Sequence, residues 1–330
     1  MYRSGYLNVG RDDVSPAGQL SNKYLARVLV KVLKAHLHYN PERKKEAAHE
    51  IKFLRNPKRM AAALATPEWK QWMDAITKEM QSLIDKDVYE VKKIPAGRKP
   101  IPTRLVLSTK LKSDRSIDKF KARCVVAGFL QRSGIDYNPD GTYSPMTEAV
   151  TVRLLLGIAN RLKLRIDHLD IKTAYLNGTL PVHERFWCSP PVGFEEAPGY
   201  GWHMQKGLYG AHQSGAVWAD TWRKWMQEKA PQFKDAGNER CIYVFREHGD
   251  GTPVDLDKLR GVTLEPGGKL VILVMNTDDL LILYTDNALS LVHDLETQIC
   301  SSFHATSRRS ISRAAYHKRQ KWPRPCCSCS

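Results

Sequence analysis

The chain has 330 residues, enough to bury one or two sizeable cores, and its hydrophobic fraction of 42% is ordinary for a soluble globular protein. A formal net charge of +16 and an isoelectric point near 9.5 are not ordinary, and a surplus of that size points to a polyanionic partner, most often nucleic acid. No apolar run approaches the roughly 20 residues that cross a bilayer, and Met1 to Gly10 lack the apolar core of a secretory signal. No membrane partner is therefore expected, and the chain reads as cytoplasmic or nuclear.

Residues 1–65 read as a basic, partly helical segment, with a helix expected from Leu20 to Leu37 and a cationic stretch running from Pro41 to Arg59. Thr66-Pro67-Glu68 then has the pattern of a helix start: a capping hydroxyl, proline at the first position and an acid for the dipole. Trp69, Trp72, Met73, Ile76, Met80 and Leu83 follow at helical spacing. From Pro100 to Ala127 the period changes to two. Lys110 and Lys112, then Lys119, Lys121 and Arg123, take the parity opposite the apolar residues on either side of a polar break, which predicts a hairpin with one apolar and one cationic face. Such a face is either a solvated edge or a surface that grips phosphates, and five aligned cations favour the second. Further along, a buried helix is expected over Thr151 to Leu162, a strand from Arg161 to Asp170, a helix from Trp218 to Met226, and interior strands at Leu270–Met275 and Leu280–Tyr284. Residues 301–330 lose periodicity and are expected to be disordered. Cys124, Cys188, Cys241 and Cys300 stand singly, as reduced thiols do, and Cys326 and Cys329 lack two further ligands at zinc spacing.

Asp278 and Asp279 are the sharpest local feature. Two adjacent carboxylates between apolar strands repel each other, and a cation such as magnesium relieves that repulsion; an ordinary acidic turn is the alternative. Asp170 shares the parity of Leu162, Leu164 and Ile166 and is expected on the buried side of its strand's end. Two-metal phosphoryl transfer needs one carboxylate to bridge the ions and another to anchor them, which an aspartate on a strand and another on a neighbouring hairpin can supply.

The run Leu169-Asp170-Ile171-Lys172-Thr173-Ala174-Tyr175-Leu176-Asn177-Gly178 closely resembles the first catalytic motif of copia-type LTR-retrotransposon reverse transcriptases, which are RNA-directed DNA polymerases. Lys121 to Phe129, Gly134-Ile135-Asp136-Tyr137, Tyr143-Ser144-Pro145, Thr151 to Leu155, Pro191 to Phe194, Leu208 to Gln213 and Thr277 to Ile282 resemble further family segments in the family's order. The similarity covers roughly Thr66 to Leu295. It implies an α+β right-hand polymerase with fingers and palm over residues 66–300, using Mg2+, or Mn2+, with a deoxynucleoside triphosphate and a primed RNA or DNA template. By the same resemblance Asp170, Asp278 and Asp279 are catalytic, with Asp170 and Asp278 as metal ligands. Tyr175 would be the steric gate against a ribose 2′-hydroxyl, Gln213 would line the nucleotide pocket, and Lys110 and Arg123 would meet the triphosphate. Lys112, Lys119 and Lys121 would hold nucleic acid, and other parts of a retrotransposon polyprotein are expected partners.

The sequence departs from the family at Asn276 and Thr277, at His212 and at Gly215-Ala216, and Gly249 to Gly268 looks longer than the family's connection. Asn276 is expected to weaken packing under the metal site. No complete thumb or ribonuclease H pattern is recognisable after Leu295. The alternative function is therefore a truncated or domesticated remnant that binds nucleic acid without catalysis.

Overall fold

The computed structural model describes residues 60–112, 114, 116–236, 239–254, 264–303 and 305–308. The expected helix over Leu20 to Leu37, the basic stretch from Pro41 to Arg59 and the cysteine-rich tail lie outside them. In chain order the elements are α1 (Met60–Leu64), α2 (Trp69–Asp85), β1 (Tyr89–Lys93), β2 (Ile101–Leu111), β3 (Ile117–Val126), α3 (Ala149–Leu162), β4 (Arg165–Ile171), β5 (Trp187–Ser189), β6 (Tyr200–Met204), α4 (Ser214–Lys229), β7 (Lys234–Ala236), β8 (Glu239–Glu247), β9 (Lys269–Asn276), β10 (Asp279–Tyr284), α5 (Leu289–Phe303) and β11 (Ala305–Arg308). The architecture is mixed α+β. It divides into two compact units, Ser144–Ala174 with Ala219 onward forming the second.

The first unit, which ends its two segments at Tyr143 and Trp218, holds a five-stranded sheet in the order β1-β6-β5-β2-β3. Helix α2 exists because its apolar residues recur every three or four positions, and it buries Trp72, Ile76, Met80 and Leu83 against Ala122, Cys124 and Val126 of β3. Thr66 does not cap it. Its hydroxyl donates to the Ala63 carbonyl at 2.7 Å and closes the preceding turn, so α2 starts at Trp69 without a side-chain cap. Glu79, also on the buried side, accepts a hydrogen bond from the Cys124 amide at 2.9 Å, covering a donor on edge strand β3. Burial pushes the Glu79 carboxyl above its ordinary range, and pushes the Cys124 thiol up to about 12. At the far end of β3 the Val126 amide donates to the Tyr209 carbonyl at 2.8 Å. The chain there crosses on two glycines. A Cβ on Gly128 would stand 1.9 Å from the Gly210 carbonyl oxygen, and one on Gly210 would stand 2.4 Å from that of Val126.

The second unit is built on an antiparallel six-stranded sheet, β11-β4-β10-β9-β8-β7. One face packs Leu164, Ile272, Val274 and Leu283 against α3, with Ala159 at the centre of that contact. Elsewhere in this unit α5 buries Val292, Leu295, Ile299 and Phe303, and Phe303 meets Trp222 and Trp225 of α4 at ring-centre distances of 5.9 and 5.5 Å. Helix α3 is less buried than its sequence suggests, since Val150 and Leu154 are exposed. It also runs through Arg161 and Leu162, which the alternation assigns to a strand. Lys163 adopts a left-handed conformation and its amide closes on the Ala159 and Asn160 carbonyls, so β4 begins only at Arg165. A boundary at residue 300 falls inside α5, and β11 beyond it pairs with β4, because the backbone of an edge strand offers a ladder that low side-chain periodicity does not forbid.

Candidate active site

Strand β4 alternates: Asp167, Leu169 and Ile171 are buried, whereas Ile166, His168 and Asp170 are half-buried. Asp170 does share the face of Leu164, Ile166, Ile272 and Leu283, which packs against α3, but it is half-buried rather than buried because it stands at that face's open end, beside exposed Asp279 and Asn276. In the antiparallel register Asp170 stands directly across from Asp279, and Asp279 across from Asn276. Cross-strand partners point to the same face, so Asp170 and Asp279 share it. Thr277 and Asp278 form the two-residue loop between β9 and β10. Thr277 has φ +59, a region a β-branched side chain rarely enters, and one that glycine takes in this kind of hairpin turn. The Asp278 carbonyl accepts from the Ile171 amide at 2.7 Å, which stitches the turn to the end of β4. Asn276 is exposed at its strand's end and costs no packing, contrary to expectation.

Sequence reasoning misses His168. Its Nε2 lies 2.8 Å from Asp279 Oδ1, diagonally across the same face, and it shares the parity of Asp170 two residues on. At the opposite end of the strand pair Tyr284 donates to Asp167 at 2.7 Å, Arg165 pairs with Asp286, and burial together with Asp167 pushes the Tyr284 hydroxyl well up. Those contacts fix the register that sets Asp170 opposite Asp279. Among the described residues no group of three or more His, Cys, Asp or Glu side chains is arranged to enclose a metal ion. Asp279 is turned toward His168 and Asp278 is exposed, which is how neighbouring carboxylates relieve repulsion on their own.

The hairpin of β2 and β3 has the expected two faces. Lys110 sits directly across from Lys119, Ser108 from Lys121 and Val106 from Arg123, and exposed Arg104 extends the cationic side. Like charges placed directly opposite each other destabilise a hairpin unless an anion lies between them. Lys112 lies beyond the register shift at the hairpin's end and is exposed.

The structure brings together some of the expected nucleotide residues and separates others. The Arg123 guanidinium lies 5.5 Å from the centre of the Tyr209 ring, and Tyr209 meets Tyr175 edge-on at 5.4 Å and 68°. Lys110 is four register steps from Arg123, about 13 Å along the strand. Gln213 is wholly buried. Its Nε2 donates to the carbonyls of Asp136 and Glu184 at 3.0 and 3.3 Å, and its Oε1 accepts from Gln131 at 3.0 Å. Its amide is thus spent inside the protein, a role that its place in the motif does not reveal.

An α+β chain with paired aspartates at a strand turn and a cationic hairpin face has the chemistry of a domain that handles nucleic acid and phosphoryl groups. Residues 86–313 match the family model described as reverse transcriptase (RNA-dependent DNA polymerase), well over half of the chain, and the chain belongs to that family. It is similar to the retrovirus-related Pol polyprotein from transposon TNT 1-94 of Nicotiana tabacum, 30% identical over 76% of this chain and 17% of the relative. It is also similar to the Pol polyprotein from transposon RE1 of Arabidopsis thaliana, 27% identical over 71% of this chain and 14% of the relative. A further relative is the uncharacterized mitochondrial protein AtMg00820 of Arabidopsis thaliana, 33% identical over 33% of this chain and 62% of that protein. The transposon relatives make this a reverse transcriptase domain of the copia-type Pol kind, and the chain spans less than a fifth of their length.

Proposed function

We propose that this chain is an RNA-directed DNA polymerase, its first unit serving as fingers and its second as palm. The observation that carries the reading is the concentration of Asp170, Asp278 and Asp279 at the joined ends of β4 and β10. Hard carboxylate oxygens from two adjacent strands, open to solvent on one side, suit magnesium, which combines one or two carboxylates with water and substrate phosphate oxygens rather than an all-protein cage. Asp170 and Asp278 would hold the ions. When bound, Mg2+ or Mn2+ supplies positive charge beside the phosphate and favours ionisation of the attacking hydroxyl.

The reaction is attack of the primer 3′-oxygen on the α-phosphorus of a deoxynucleoside triphosphate; one P–O bond forms, the bond to the β-phosphate breaks, and pyrophosphate leaves. The protein's part is mainly positioning and preorganised charge. His168 fixes the direction of the Asp279 carboxylate beside the two ligands. Arg123 and Lys110 would take the triphosphate, Tyr175 would screen the sugar's 2′ position, and Lys112, Lys119 and Lys121 would grip the primer–template through its backbone. The composition supports work in the cytoplasm or nucleus, alongside other parts of a Pol polyprotein.

Primer extension by the purified chain tests this. Wild type should extend with magnesium or manganese, and Asp278→Asn should abolish extension while leaving primer–template binding in low-magnesium buffer largely intact. A second reading, a nucleic-acid-binding remnant without catalysis, is favoured by the engagement of Asp279 with His168 in place of a closed three-carboxylate cluster among the described residues. Binding without extension under either metal would establish that reading and defeat the first.

A further inference from the structure

We propose that Tyr209 is the positioning residue for the deoxynucleoside triphosphate in the first unit, the role that resemblance gives to Gln213; the inference rests on the polymerase reading. Gln213 has no exposed surface and its amide is committed to Gln131, Asp136 and Glu184. Tyr209, four residues earlier, is half-buried and touches both of the side chains that a nucleotide would meet first, Arg123 and Tyr175.

The chemistry of the row is that of a nucleotide site. Arg123 presents a planar cation whose Nε is buried with no hydrogen-bond partner among the described residues. A cation partly stripped of water and held over an aromatic face still offers its terminal nitrogens to a phosphate, with the ring supporting it from behind. The same Tyr209 ring abuts Tyr175 edge-on, which limits how far the Tyr175 ring can swing. Tyr209 itself cannot drift. Its carbonyl is bonded to the Val126 amide, and the next residue, Gly210, has φ +86 and packs against Val126 and Gly128 with no room for a side chain. One fixed ring therefore couples a phosphate-binding cation to a sugar-screening ring.

The coupling makes a distinctive forecast. Tyr209→Leu, which keeps bulk but removes the π-face, should raise the KM for deoxynucleoside triphosphate about tenfold with kcat largely retained, and should lower selection against ribonucleotides. Tyr209→Phe should stay within about twofold of wild type, since the ring and not the hydroxyl is what matters. Arg123→Lys keeps the charge but loses the planar stack on the Tyr209 ring that abuts Tyr175, and it should therefore also loosen sugar selection. The measurements are steady-state primer extension with dTTP and UTP, and equilibrium binding of dTTP to the full chain on a dideoxy-terminated primer–template. A folded Tyr209→Leu variant with wild-type KM and sugar selectivity overturns the proposal, as does unchanged sugar selectivity in Arg123→Lys. If wild type binds dTTP in a Tyr209-dependent way yet never extends a primer, the site stands and the polymerase reading falls. If it neither binds nor extends, both fall.

Discussion

Replacing Gln213 by leucine should destabilise the first unit by about 1 to 7 kcal/mol, a range that follows from the three partners it would abandon. The carbonyls of Asp136 and Glu184 would lose their donor, and the Gln131 amide would lose its acceptor. Each orphaned polar group costs roughly 1 to 3 kcal/mol, offset in part because a buried leucine gains about 2 kcal/mol of apolar transfer. The damage should spread locally. Gln131 also accepts from the His212 amide at 2.8 Å, and the Asp136 carboxylate takes the Arg132 amide at 2.9 Å, so both ends of the 131–136 loop depend on the same centre. The assay is chemical and thermal denaturation followed by circular dichroism, with a fall in melting temperature of roughly 10 °C. A variant within about 0.5 kcal/mol of wild type would refute the structural role and return Gln213 to consideration as a ligand residue.

Thr277→Gly should relieve the positive-φ strain at the β9–β10 turn and stabilise the second unit by roughly 1 kcal/mol, measured as a rise in denaturation midpoint; an unchanged or lower midpoint would mean that no strain resides there. Glu79→Gln should change the pH dependence of stability. Because the folded carboxyl titrates above its unfolded value, the wild type holds its full contribution below the unfolded pKa and loses it as pH rises through the folded one, whereas the amide variant has no proton to lose. Wild type should therefore lose ground to Glu79→Gln as pH rises above the ordinary carboxylate value of 4.5, and a stability difference that stays constant from there to neutral pH would contradict the assignment. Binding to a primer–template should weaken with salt, and Lys119→Ala and Lys121→Ala should each reduce the log–log slope by roughly 0.7 to 0.9, read by fluorescence anisotropy; an unchanged slope would put the nucleic acid elsewhere.

Much of the fold is legible in the sequence because it depends on periodicity. The two-residue period from Pro100 to Ala127 predicts both faces of the β2–β3 hairpin, and the apolar runs flanking Asp278 and Asp279 predict β9 and β10 almost to the residue. What fails depends on partners distant in sequence. Alternation gives the face of β4 that carries Asp170, but not how far along that face the cover of α3 reaches. Nothing local to Gln213 announces the carbonyls of Asp136 and Glu184, and nothing local to Thr66 announces that its hydroxyl turns back to Ala63. His168 and Tyr209 are within reach of the sequence, the first by its shared parity with Asp170 and the second inside the segment Leu208 to Gln213. Each is overshadowed by a neighbour whose side chain looks more chemical.

The crossing of Gly128 and Gly210 has a consequence for how a gene of this kind wears out. Neither residue carries chemistry, yet a single added methyl group at either would lever the Tyr209 segment off β3, and with it the ring that Arg123 and Tyr175 share. Mobile-element copies released from selection accumulate changes without regard to role. Glycine codons mutate to serine, arginine, aspartate and similar residues in one step, all of which fill the space that this crossing leaves empty. Persistence of both glycines across sibling copies would thus record past selection on this fold as sensitively as persistence of the aspartates, and would do so even in copies whose acidic turn has already been lost.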